Sequence, residues 1–168
     1  MSDVRVRYRL GVSAHHVGAL VVLMLSGCGR RDEARASVGY RGTAAIPPSA
    51  VTLTIDGPGT TATFHGAELP SQGTAVRTPE VATSVSGNMT IGFTLATPQG
   101  DLSRGSVTLP LRPDWNWGVD VVVDTVNPAR LCLGCVGSKS FPLKVPRTPT
   151  DSVWMVWGGN SLSNPVVY

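Results

Sequence analysis

The sequence is poor in the residues on which much of enzyme chemistry depends. Histidine occurs three times, and His15 and His16 lie close to the N-terminus, so His65 is the one histidine further along the chain. No Gly-x-Ser-x-Gly, His-Glu-x-x-His or phosphate-binding loop occurs, which removes the common hydrolase, zinc-protease and nucleotide motifs. Lysine appears only at Lys139 and Lys144, against twelve arginines, a bias that fits genome composition better than any arginine-specific role. No apolar run approaches the roughly 20 residues that a spanning helix needs. Helical periodicity, with apolar residues at i, i+3, i+4 and i+7, is missing outside the N-terminal segment.

What is present begins with that segment. Arg5, Arg7 and Arg9 precede Val17–Leu25, an unbroken apolar run of nine residues closed by Leu25-Ser26-Gly27-Cys28 and then Arg30 and Arg31. A basic head, a short apolar stretch and small residues before a cysteine form an export signal. The last four residues resemble the lipobox of bacterial lipoprotein precursors. The resemblance covers residues 1–28 only, and no family is recognised in residues 29–168. It implies that residues 1–27 are a removed signal peptide and that Cys28 carries a diacylglyceryl group and an N-linked acyl chain such as palmitate. It further implies that the membrane is a partner through that lipid. Gly29, where inner-membrane lipoproteins often carry Asp, points to the outer membrane of a cell envelope. The alternative is an ordinary signal peptide cut near Ser26 or Gly27, with Cys28 incidental.

Setting residues 1–27 aside changes the arithmetic of charge and sulfur. Three arginines and Asp3 leave with that segment, so 11 basic and 10 acidic residues remain. The basic pI therefore belongs mostly to the export signal, and a nucleic-acid partner is set aside. With Cys28 consumed by lipid, Cys132 and Cys135 are an even pair in an oxidising compartment. The remaining 141 residues suit one domain with a real core.

Residues 28–50 are charged, then small and proline-containing, which predicts a flexible tether of 22 residues after the lipidated cysteine. From Val51 the pattern alternates. Val51, Leu53 and Ile55 interleave with threonines, and Asp56-Gly57-Pro58-Gly59 supplies a turn before Thr61–Phe64. Val81–Ser86 and Met89–Ala96 read as a pair split by Gly87-Asn88. Gly105–Leu111, Trp117–Val126, Lys139–Val145, Ser152–Trp157 and a closing Pro165–Val167 follow. In Trp117–Val126 the face with Trp117, Val119, Val121 and Val123 should be core, leaving Asp120 and Asp124 outward. Short alternating strands at this spacing predict an all-β fold, a single antiparallel, immunoglobulin-like β-sandwich of seven to nine strands over residues 51–168.

Few residues in this domain offer chemistry. Cys132-Leu133-Gly134-Cys135 lacks the histidine of a haem-attachment motif, and zinc would need ligands beyond His65. Gly137 and Pro142 follow too closely for a helix to begin on the pair, so a loop-closing disulfide is favoured over a redox dithiol. Trp115 and Trp117, two apart, share one strand face and are either core or a stacking platform for a sugar or peptide. Trp154 and Trp157, three apart, point to opposite faces. Asp120 and Asp124 would be about 13 Å apart, too far for paired acid–base work, and Pro98-Gln99-Gly100-Asp101 reads as a turn, not a calcium loop. The expectation is a lipid-anchored envelope module that binds a protein or glycan without catalysis, with no cofactor and no metal. A thiol–disulfide protein using Cys132 and Cys135 and a carbohydrate-binding module using its tryptophans are the alternatives.

Overall fold

The computed structural model describes residues 33–132, 134–144 and 152–161. The proposed signal, Cys28, residues 29–32, Leu133 and Pro165–Val167 lie outside them. The described chain forms eleven strands: β1 Ala34–Arg41, β2 Val51–Gly57, β3 Thr60–His65, β4 Ser71–Gln72, β5 Ala75–Arg77, β6 Val81–Thr83, β7 Gly87–Thr97, β8 Gly100–Leu111, β9 Trp115–Asp124, β10 Gly137–Pro142 and β11 Ser152–Ser161. They build two sheets, one ordered β3-β2-β7-β8 and one of seven strands ordered β10-β11-β9-β1-β5-β4 with β6 also on β1. Val51, Leu53, Ile55, Met89, Ile91, Phe93 and Leu95 face Val38, Tyr40, Val119, Val121, Val153 and Met155 in one shared core. This is the expected all-β sandwich.

The tether is corrected. Residues 34–41 are a central strand, and the fold begins at Ala34, well before position 51. Ala34, Ala36, Val38 and Tyr40 point inward and are buried, while Arg35, Ser37 and Arg41 point outward. The alternation is regular, but alanine carries little hydrophobic signal and the outward arginines give the stretch a solvated look. The segment that follows, ending in a 3-10 turn at Pro48–Ala50, packs Ile46 and Pro48 into the domain. Burial pushes the Tyr40 phenol far above its ordinary pKa, so it stays neutral and donates to the Ile46 carbonyl at 2.8 Å.

Strand β1 also changes the topology. It runs parallel to β9, with Val38 opposite Val119 and Tyr40 opposite Val121, so the sandwich is not wholly antiparallel. The expected hairpin of Val81–Ser86 with Met89–Ala96 is not formed. β6 crosses to β1, whereas β7 pairs with β2 and β8, and Gly87-Asn88 is the start of β7. The strand count exceeds seven to nine because β4, β5 and β6 are only two or three residues long and β1 joins the sheet. Elsewhere the inward set of β2 and of β9 is as expected, with β9 running from Trp115 to Asp124.

One glycine shows how closely the sheets approach. A Cβ on Gly105 of β8 would collide with the Phe141 ring of β10. That ring sits edge-on to Phe93 at 5.3 Å, so Phe141 fills the space that a side chain at 105 would take.

A candidate binding groove on the outer sheet face

The outward positions of the seven-stranded sheet come together through register. Gly39 and Arg41 of β1 stand beside Asp120 and Val122 of β9, Val156 and Trp154 of β11 follow on one side, and Arg77 and Ala75 of β5 on the other. An outer sheet face would normally be wet, yet Val122 and Val156 are buried. The β9–β10 connection lies along them. It leaves the end of β9 through Asp124, whose carboxylate accepts from Val126 N at 3.1 Å, and turns at Pro128–Arg130, where the Asn127 side chain caps Ala129 N at 2.9 Å. It ends with Val136 N donating to the Trp157 carbonyl at 2.7 Å.

Between this connection and the β4–β5 hairpin lies a groove of about 750 Å³. Val122, Val156 and Gly39 lie along its floor; Pro128, Leu131 and Cys132 form one wall, and Pro70, Gln72 and Ala75 the other. Its charges are two arginines and two aspartates. Arg77 donates to Asp120 at 2.5 Å and to Ser37 Oγ at 3.2 Å, so that pair is internally satisfied. Asp124 is engaged by its own turn. Arg41 is exposed, and its guanidinium has no hydrogen-bond or ion-pair partner among the described residues. Leu131, 81% exposed, stands on the rim, and Val126 and Val136 of the same connection are exposed as well. An apolar floor, an exposed aliphatic lip and one uncommitted guanidinium suit a ligand with a hydrophobic portion and an anionic group.

The sequence-expected residues fall as follows. Cys132 and Cys135 are disulfide-bonded with Cα atoms 5.6 Å apart, and Cys132 lines the groove wall. A 3-10 turn precedes the pair and strand β10 follows it, so among the described residues no helix begins on the pair. Trp115 and Trp117 do share a face, with ring centroids 5.4 Å apart, but they do not form an exposed platform. Trp117 is 4% exposed and its indole donates to the Pro110 carbonyl at 3.0 Å, because that face of β9 is the core face. Trp115, half-buried, lies at the strand's start under the Arg112 guanidinium, 5.0 Å from its ring.

Trp154 faces outward and Trp157 toward the core, on opposite faces as expected. His65 lies on the other sheet, within 3.3 Å of Thr52 Oγ1. Pro98 and Gln99 make the β7–β8 hairpin turn, and just after it on β8 Arg104 pairs with Asp101 at 3.3 Å. Comparison of the chain with protein-family models, with curated proteins and with solved structures finds no match.

Arg41, Val122 and Leu131 were not singled out from the sequence. Arg41 falls in the stretch read as tether, and Leu131 in a connection whose path over the sheet only the folded chain defines. The one available signal was Val122, an apolar residue on the face of β9 otherwise carrying Asp120 and Asp124.

Proposed function

We propose that this protein is a lipid-anchored β-sandwich of the bacterial cell envelope that acts as a non-catalytic binding module, with the groove between the β9–β10 connection and the β4–β5 hairpin as its ligand site. The observation that carries the binding role is Arg41, whose guanidinium has no partner among the described residues, beside an apolar floor of Val122 and Val156. The anchor is read from Leu25-Ser26-Gly27-Cys28. β1 and β9 run parallel, so Arg41 and Asp124 both lie at the end of the sheet opposite Ala34.

The test is a photo-crosslinking residue placed at Leu131 in the intact envelope, with Thr63 on the opposite sheet as control. A specific adduct at position 131, weakened at least several-fold by Arg41→Glu, is the expected result. Adducts that are the same at both positions, or insensitive to residue 41, overturn the groove as the site. Mass analysis of the mature N-terminus decides the anchor independently.

A further inference from the structure

The end of the sandwich where β1 begins has a composition of its own. The β8–β9 turn, Arg112-Pro113-Asp114-Trp115, closes with Trp115 N donating to the Arg112 carbonyl at 3.1 Å. Asp114 holds φ 61 there, a left-handed conformation that an aspartate adopts at some cost. Its N–H donates to the Glu33 carbonyl at 3.2 Å, which ties the turn to the residue just ahead of β1. Val85, 48% exposed, and Pro113 border one shallow depression with Ala34 and Leu111 at this same end. Arg112 is exposed and rests on the Trp115 ring. Glu33 and Glu80 share one guanidinium, that of Arg35, at 3.8 and 3.1 Å, and the Asp114 carboxylate has no ion-pair partner among the described residues, so the acidic charge here is only partly met.

Glu33 is five positions after Cys28. Five residues span at most about 18 Å even when fully extended. A tether of 22 residues would reach much further from the headgroups; a fold that starts at Ala34 is held within that short reach.

We propose that this end of the sandwich rests on the lipid surface, with Trp115, Arg112, Pro113 and Val85 at the boundary between headgroups and acyl chains. The proposal rests on the reading of Cys28 as the lipidated residue. Tryptophan favours that boundary because its ring is apolar while its N–H seeks water, and arginine extends its guanidinium to the phosphates while its stem stays in apolar surroundings. The contact area is small, so lipid on Cys28 supplies the affinity and the turn sets the orientation. The bilayer thereby fixes which way the groove faces.

The experiment uses the mature lipidated protein in phosphatidylcholine vesicles and in vesicles of phosphatidylethanolamine with phosphatidylglycerol. Nitroxide labels are placed on Val85→Cys, on Ser86→Cys as a second site at this end, and on Val126→Cys at the far end. Labels at 85 and 86 should be several-fold less accessible to a water-soluble paramagnetic chelate than the label at 126, and more accessible to oxygen. Arg112→Glu with Trp115→Ala should reduce that difference while the protein stays in the vesicle fraction. A lipidated Cys28 with equal accessibility at both ends overturns the seat alone. An unlipidated Cys28 overturns the anchor and the seat together. Shielding at 85 and 86 from chelate and oxygen alike, present without vesicles, assigns this end to a protein contact and also overturns the seat.

Discussion

Replacing Val38 with alanine separates a core strand from a tether. Val38 is fully buried at the centre of β1, opposite Val119 of β9, with Thr78 Oγ1 accepting its amide N–H at 3.0 Å. The substitution leaves the backbone bonds in place and removes two methyl groups from a packed interior. Transfer of those groups accounts for about 1.6 kcal/mol, and the cavity left behind raises the loss to about 2–3 kcal/mol. The measurement is equilibrium urea unfolding of the Cys28→Ser chain, followed by tryptophan emission, with buried Trp117 as one reporter. With a typical urea slope, the midpoint should fall by about 1 M or more while the slope stays unchanged. Ser37→Ala, next along the strand but outward, should change stability by less than about 0.5 kcal/mol. A loss below about 0.5 kcal/mol for Val38→Ala would refute the placement of β1 in the core.

Two further outcomes follow from the packing. Gly105→Ala should cost about 1–3 kcal/mol, because the new methyl group would collide with the Phe141 ring and disturb its edge contact with Phe93; an unchanged melting temperature would contradict that geometry. Replacing Cys132 and Cys135 together with serine should leave the sandwich folded, at a cost of no more than about 2 kcal/mol. Amide exchange should quicken at Val136, whose N–H bonds to Trp157, and stay slow in β1, β2 and β9; global unfolding would show that the bridge supports more than the groove wall.

Strand periodicity was legible wherever the inward residues are large and the outward ones polar. Val51, Leu53 and Ile55 against Thr52 and Thr54, and Trp117, Val119, Val121 and Val123 against Asp120 and Asp124, declare their faces without a structure. β1 has the same two-residue period, but Ala34 and Ala36 bury so little surface that the pattern is easily passed over beside Arg35 and Arg41. Partner choice was less legible than strand position. Val81–Thr83 lies close in sequence to β7, yet it extends the other sheet, because the edge of β1 is open to it while β7 is bonded on both sides.

The candidate site was the least legible part. Arg41, Asp120, Val122 and Leu131 come from β1, β9 and a connection, and nothing in their spacing links them. The tryptophans, which did attract notice, serve other ends, with Trp117 inside the core and Trp115 beneath Arg112 at the strand's start.

By itself, the sequence determines the all-β class and the core face of the long strands. Each follows from short-range chemistry: alternation along an extended chain and turn residues between strands. The tertiary structure alone decides that β1 inserts parallel to β9, that the 125–136 connection lies over Val122 and Val156, and that Glu33 is tied to the Arg112–Trp115 turn. Those three depend on contacts between residues about eighty positions apart, or on a loop finding a surface, and no local periodicity encodes them. The groove and the Arg112–Trp115 end of the sandwich both arise from such contacts.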